Sequence, residues 1–229
     1  MTSRFSLLLA LLLPLLLGLL LGLLLVPSAA FAAKPAPAPA LVAGTDYETI
    51  ENGAPFEPVA GKIEVVEVFG YTCPHCAHFE PALEAWKAKL PADVKFTPVA
   101  APFGSYWTPY AKAYFAAKTL GIADRSHEAV FHALHEEGSL PRNPTDDEIA
   151  NFYAQYGVQP AHFLATFNGA AVEALMQRAD AFVRSSGVEG TPTMIVAGKY
   201  RVMTAGRTYE DILRIIDQLV ARERAATKR

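Results

Sequence analysis

The chain has 229 residues, of which 52% are hydrophobic and 19% are charged, and it contains two cysteines. Its formal net charge of −3 falls to −4 when the N-terminal segment that contains Arg4 is set aside, which argues against a nucleic-acid-binding protein because such proteins carry a basic excess. Two cysteines exclude a four-cysteine zinc site and a small domain held by several disulfides, and the apolar content excludes a largely disordered chain.

Residues 1–32 have the pattern of an export signal. A positive start at Arg4 precedes an uncharged apolar run over residues 5–26, and cleavage is expected after Ala32. The run is also long enough, at about 1.5 Å per residue, to span a bilayer of roughly 30 Å. A cleaved signal peptide and an uncleaved membrane anchor therefore both stay open, and either one exports the rest of the chain.

The first predicted elements of the exported part follow a linker. Residues 33–44 alternate proline with alanine and predict a semi-rigid spacer. The β-branched run at residues 63–69 predicts a strand, Pro74 begins a helix to about residue 90, and residues 94–100 predict a second strand. The crossover is long enough for the two strands to be parallel neighbours.

A helical block and a second strand region complete the chain. Helical spacing of apolar residues predicts five helices at residues 110–120, 126–136, 145–155, 160–167 and 170–183. After them we expect a hairpin with strands at 193–196 and 200–203. A last amphipathic helix is predicted at 209–224.

Cys73 and Cys76 lie at the junction of the first strand and the first helix, where they can close a small disulfide ring. Unpaired N–H groups and the dipole at a helix N-terminus favour a thiolate at Cys73, whereas Cys76 lies one turn inside and should be more covered. We therefore predict that Cys73 is the exchanging sulfur and Cys76 its partner. His75 adds a titratable charge beside Cys73, and Pro74 stiffens the short loop.

Other uses of the cysteine pair stay open from the residues alone. A structural disulfide gains little from so short a loop, and zinc would need further ligands. Covalent haem needs histidine directly after the second cysteine, where this chain has Ala77. Inert buried thiols are unusual in an oxidising compartment. No metal and no cofactor is predicted.

The segments from Glu67 to Cys76 and from Gly190 to Tyr200 resemble the DsbA family of periplasmic thiol–disulfide oxidoreductases, over roughly residues 47–224. The resemblance implies an α/β protein with a thioredoxin fold and an inserted all-helical domain. The boundaries that we expect are 45–103 and 181–229 for the thioredoxin-like domain and 104–180 for the insertion.

The resemblance also assigns site residues. It implies a redox-active Cys73–Cys76 disulfide and a cis peptide bond between Thr191 and Pro192, in a substrate-binding loop that faces the sulfurs. It implies that Glu67 is a buried acid that helps protons leave Cys76. The alternative for Glu67 is a strand-end carboxylate turned to solvent.

Two departures from the family pattern bear on these assignments. Pro98 stands where better-known members carry a lysine, so the charge partner of Glu67 stays open. Thr191 stands where many oxidases carry valine, and threonine there also resembles isomerases and reductases.

We expect a monomeric periplasmic oxidase that introduces disulfides into reduced, unfolded exported proteins. If residues 5–26 are not cleaved, they tether it to the inner membrane. By resemblance, a quinone-linked membrane protein would reoxidise it. The alternatives are an isomerase or reductase of the same fold, or a peptide-binding, chaperone-like module whose cysteine pair is structural.

Two further patterns lie in or beside the helical block. Histidines and glutamates between residues 127 and 136 predict a solvated helix face rather than a metal site. The aromatic residues Phe103, Tyr106, Trp107 and Tyr110 belong either to a peptide groove or to the core.

Overall fold

The structure is a computed structural model that describes residues 39–227. Its strands are β1 (Tyr47–Thr49), β2 (Ile63–Phe69), β3 (Val94–Ala100), β4 (Thr193–Val196) and β5 (Tyr200–Val202). Its α-helices are α1 (Pro74–Lys87), α2 (Trp107–Thr119), α3 (Ala123–His132), α4 (Asp146–Ala154), α5 (Pro160–Phe167), α6 (Ala170–Ser185) and α7 (Tyr209–Thr227). A π-helical turn, Ala133–Glu137, continues α3.

The strands form one sheet in the order β1-β5-β4-β2-β3. β2 and β3 are parallel, as the long crossover predicts, and β4 runs antiparallel to both β2 and β5. With α1 and α7 packed on this sheet and helices α2 to α6 inserted between β3 and β4, the molecule has a thioredoxin fold with an inserted helical block. The edge strand β1 was not predicted, because three residues are too few to show a hydrophobic period.

Alternation along β2 divides the core into two layers. Val66 and Val68 pack with the inserted helices, whereas Val65 packs with α7 and with Phe79 of α1. Successive side chains of a strand point to opposite faces, so Glu67 shares the face of Val65 and lies on the α1 side. This alternation is what directs the carboxyl group of Glu67 beneath α1.

The structure places Glu64 in the interior. Its carboxylate accepts hydrogen bonds from the N–H groups of Phe56 and Glu57 at 2.6 and 2.9 Å and from the hydroxyl of Thr97 at 2.7 Å. Glu64 is therefore buried, at 3% exposure. The reason is a loop that folds back over the strand, 7 to 8 residues away in sequence, and brings its own donors.

The end of one helix and the helix at one expected domain boundary differ from the prediction. α1 ends at Lys87 rather than near residue 90, and α6 runs without a break across the expected domain boundary at residues 180 and 181. The division into domains remains a prediction. Residues 5–26 lie outside the described part, and within residues 39–227 no helix is long and apolar enough to cross a membrane.

Candidate active site

Cys73 and Cys76 lie where β2 passes into α1. A tight turn, closed by the Cys73 N–H donating to the Gly70 carbonyl at 3.0 Å, brings the chain from strand to helix. Cys73 is the N-cap residue of α1 and Pro74 occupies its first turn, a position that tolerates proline because its missing N–H would be unpaired there anyway. Both cysteines are free thiols here, and they are 6% and 0% exposed.

The surroundings of Cys73 stabilise its thiolate. A hydrogen bond from the Cys76 thiol is the largest influence, and bonds from Thr191 and from the backbone N–H groups of Cys76 and His75 add to it; together they lower the pKa of Cys73 to about 5. Partial burial opposes this shift but does not cancel it. At neutral pH Cys73 is therefore a thiolate and a competent nucleophile and leaving group.

Cys76 has the opposite character. Burial raises the pKa of its thiol far above the ordinary value, and the neighbouring Cys73 thiol and Glu67 carboxylate raise it further. Two thiols separated by less than one helical turn thus have opposite tendencies, one to lose its proton and one to keep it.

The cis-proline loop lies directly against the sulfurs. The Thr191–Pro192 peptide bond is cis, as the resemblance implies, and the Cys73 Sγ lies 3.3 Å from the Thr191 carbonyl oxygen, which accepts a hydrogen bond from it when Cys73 is protonated. A cavity of about 530 Å³ opens beside them, lined by His75, Thr191, Pro192 and residues between 204 and 212. This cavity forms a groove that gives access to the Thr191–Pro192 segment next to Cys73.

Glu67 is buried, at 1% exposure, so it is not turned to solvent. Burial raises its pKa well above the ordinary value, and the nearby Glu80 carboxyl raises it further. The residue opposite Glu67 on β3 is Pro98, which brings no charge; Lys87 of α1 is the cation that favours the ionised form. One carboxyl oxygen of Glu67 has no hydrogen-bond partner among the described residues.

The histidines between residues 127 and 136 differ in their burial and in their partners. His127 is buried and its Nδ1 lies 2.8 Å from the Tyr71 hydroxyl, so a solvated face was the wrong interpretation for it. His132 is exposed and pairs with Glu136 and Glu137. Apolar Val130 and Phe131, three and four residues after His127, were the signal that could have found its buried position.

Glu80 was not predicted as a site residue, and the aromatic residues between 103 and 110 differ in their burial. Glu80, one turn beyond Cys76, is buried, and burial raises its pKa to about 8. Trp107 packs on Gly70 and Tyr110 lies in the core, whereas Phe103 is 38% exposed. Within residues 39–227 no group of three or more histidine, cysteine, aspartate or glutamate side chains is placed to hold a metal ion.

Comparison with known proteins gives consistent matches. A family model described as Thioredoxin matches residues 59–218. The thiol:disulfide interchange protein DsbA of Pseudomonas aeruginosa is 40% identical over 189 residues, covering 82% of this chain and 88% of that protein. The crystal structure of the oxidoreductase DsbA from Xylella fastidiosa is 56% identical with a TM-score of 0.78, covering 81% of this chain and 98% of that one. The crystal structure of Pseudomonas aeruginosa DsbA is 39% identical with a TM-score of 0.75, and the match covers 82% of this chain and 97% of that one.

The dominant role of the Cys76 thiol in stabilising the Cys73 thiolate is testable. Cys76→Ala removes that donor and should raise the pKa of Cys73 by about one to two units, because a hydrogen bond to a charged group contributes roughly 1.5–3 kcal/mol. Thiolate ultraviolet absorbance followed against pH measures the shift, and Cys73→Ala, which should show no titration near pH 5, is the control. An unchanged titration in Cys76→Ala would contradict the assignment.

Proposed function

This chain belongs to the DsbA family of thiol:disulfide interchange proteins, and we propose that within it Cys73 and Cys76 form the redox-active pair of an oxidase. It is a thiol–disulfide oxidoreductase, and its proposed substrates are reduced, unfolded exported proteins. The observation that carries the direction of transfer is the low pKa of Cys73, about 5, set against the raised pKa of Cys76. A stable thiolate favours the reduced pair, so the oxidised pair gives its disulfide away.

The proposed reaction has two exchange steps. A substrate thiolate attacks Cys73 of the Cys73–Cys76 disulfide, a substrate–Cys73 bond forms, and Cys76 leaves with the electron pair and takes up a proton. A second substrate thiolate then attacks the substrate sulfur of this mixed disulfide and Cys73 leaves as a thiolate. Two electrons pass from the substrate to the pair, and the low pKa of Cys73 makes it a fast leaving group.

The remaining predicted site residues receive roles as part of this proposal. Glu67 exchanges a proton with Cys76, because it is buried and its pKa is raised toward the range where it can do so. The edge of the cis Thr191–Pro192 loop holds the substrate backbone next to Cys73, since the adjoining groove opens there. Pro74 fixes the first turn of α1.

A disulfide isomerase remains a second candidate because of Thr191, which precedes the cis-proline. Its buried hydroxyl is one of the groups that lower the pKa of Cys73. Both candidates use the same exchange chemistry. They differ in whether the protein delivers net oxidation or only rearranges existing disulfides.

Net oxidation is the outcome that decides between these functions. Purified oxidised protein, mixed with reduced unfolded substrate, should form substrate disulfides in a one-to-one ratio, and Cys73→Ser should form none. Glu67→Gln should keep the ratio but slow the exchange. Rearrangement of mispaired disulfides without net oxidation would support the isomerase, and unchanged thiols would support a peptide-binding module.

The imidazole of His75 is proposed to tune Cys73 by its charge. Its side chain is exposed beside the cavity, while its backbone N–H already contributes to the low pKa of Cys73. His75→Ala removes only the side chain, so the glutathione equilibrium should shift toward a weaker oxidant with the fold unchanged. An equilibrium equal to that of the parent protein would leave the helix N-terminus and its hydrogen bonds alone responsible.

The thiolate also predicts how redox state affects stability. The pKa of Cys73 falls from an ordinary 9.0 to about 5 on folding, so the reduced protein gains about 1.4 kcal/mol per pH unit between those values. This stabilisation of the reduced protein is complete above the pKa that Cys73 has in the unfolded chain, and it is lost as the pH falls toward 5. Closing a four-residue disulfide loop stabilises the oxidised form by only about 2 kcal/mol.

At pH 8 the reduced protein should therefore unfold at the higher urea concentration, and the difference should shrink and reverse toward pH 5. Urea midpoints of both forms across this range measure it. An oxidised form that is more stable at every pH would show that the pair is structural or reducing.

Export to the periplasm, and reoxidation there by a quinone-linked membrane protein, complete the proposal. The support is the apolar run at residues 5–26 with its cleavage pattern, and the stability of the Cys73 thiolate, which demands a strong oxidant for turnover. N-terminal sequencing of the protein from cells separates the two topologies. Ala33 as the first residue is expected; an intact N-terminus on a protein that detergent alone releases would establish an anchor.

A further inference from the structure

The turn that presents Cys73 is held by side chains of the helical insertion. Gly70 begins this turn and lies so close to Trp107 of α2 that a Cβ at Gly70 would be 2.0 Å from the indole ring. Tyr71, the next residue, is 1% exposed and contacts two histidines of the insertion. The thioredoxin-like part alone supplies none of these three groups.

His135 holds the backbone of the turn. Its Nε2–H donates to the Tyr71 carbonyl at 2.7 Å, two residues before the reactive cysteine. His135 lies in the π-helical turn that continues α3. Such turns place a side chain differently from a regular α-helix and recur at functional sites.

His127 holds the side chain of the same tyrosine. Burial lowers the pKa of His127 to about 3, so the ring is neutral. Its Nε2 lies 3.6 Å from a Glu80 carboxyl oxygen; with the proton on Nε2, Nδ1 accepts from the Tyr71 hydroxyl at 2.8 Å. A single residue of the turn is thereby held at its main chain and at the tip of its side chain.

We propose that His127 and His135 are positioning residues that fix the Gly70–Cys73 turn, so that the helical insertion keeps the Cys73 sulfur against the N-terminal N–H groups of α1. Neither histidine touches the sulfur; each acts through Tyr71. Hydrogen bonds to a thiolate depend on distance and angle, so a turn free to shift would lose part of the stabilisation. The inference rests on the proposed exchange reaction at Cys73.

His135→Ala tests the backbone contact, and His132→Ala is its matched control. Both histidines are exposed and lie near the same helix end, but His132 pairs with Glu136 and Glu137 instead of the turn. We expect His135→Ala to raise the pKa of Cys73 by about half a unit, because a typical hydrogen bond contributes roughly 0.5–1.5 kcal/mol. The amide of Cys73, bonded to Gly70 in the parent, should exchange its hydrogen faster, while His132→Ala should change neither quantity.

Two further variants separate the hydrogen bonds from packing. His135→Gln keeps an N–H donor and should restore most of the thiolate stability; equal shifts in His135→Ala and His135→Gln would overturn the role of the bond. Tyr71→Phe removes the hydroxyl that His127 holds and should also raise the pKa of Cys73. If His135→Ala and Tyr71→Phe both titrate like the parent, the proposal is wrong.

The thiolate is titrated with neither substrate nor oxidant present. The result therefore stands whether or not the protein delivers net oxidation, and a failed substrate-oxidation assay would not be mistaken for a failed positioning role.

Discussion

The stabilisation of one thiolate at the N-terminus of α1 is the feature on which the reactivity of this protein depends. Hydrogen bonds to the Cys73 sulfur lower its pKa to about 5, and the largest comes from the thiol of Cys76. That donor is itself kept protonated by burial. The two cysteines thus work as a pair of unlike groups, and a disulfide between them would exchange a stabilised charge for a neutral bond.

The rest of the site maintains this difference between the sulfurs. Two buried acids, Glu67 on β2 and Glu80 on α1, both have a pKa that burial raises, so this interior disfavours anions. Cys76 belongs to that interior, whereas Cys73 lies at the N-terminus of α1, against the cis-proline loop. The inserted helices cover the opposite face and hold the turn before Cys73 through Trp107, His127 and His135.

The sequence was informative where local chemistry decides the structure. β-branched runs, Pro74 at a helix start and the helical spacing of apolar residues are local signals, and the structure contains the corresponding elements. The burial of Glu64 could not be predicted, because it depends on how the preceding loop folds back over the strand. The partner of His127 could not be predicted either, because Tyr71 is distant in sequence. Glu80 was missed for the same reason: a glutamate on an amphipathic helix resembles any solvated one until its neighbours are placed. Export and the roles proposed for His75, Glu67 and Pro192 stay predictions.

The reduction potential of the Cys73–Cys76 pair, measured against glutathione as a function of pH, tests the thiolate account most directly. Below the pKa of Cys73 two protons accompany the two electrons, and the potential should change by about 59 mV per pH unit; above it one proton does, and the slope should halve to about 30 mV. The bend between the two slopes should lie near pH 5, the pKa of Cys73. A single slope of about 59 mV from pH 4 to pH 8 would mean that Cys73 is an ordinary thiol, and it would contradict the account.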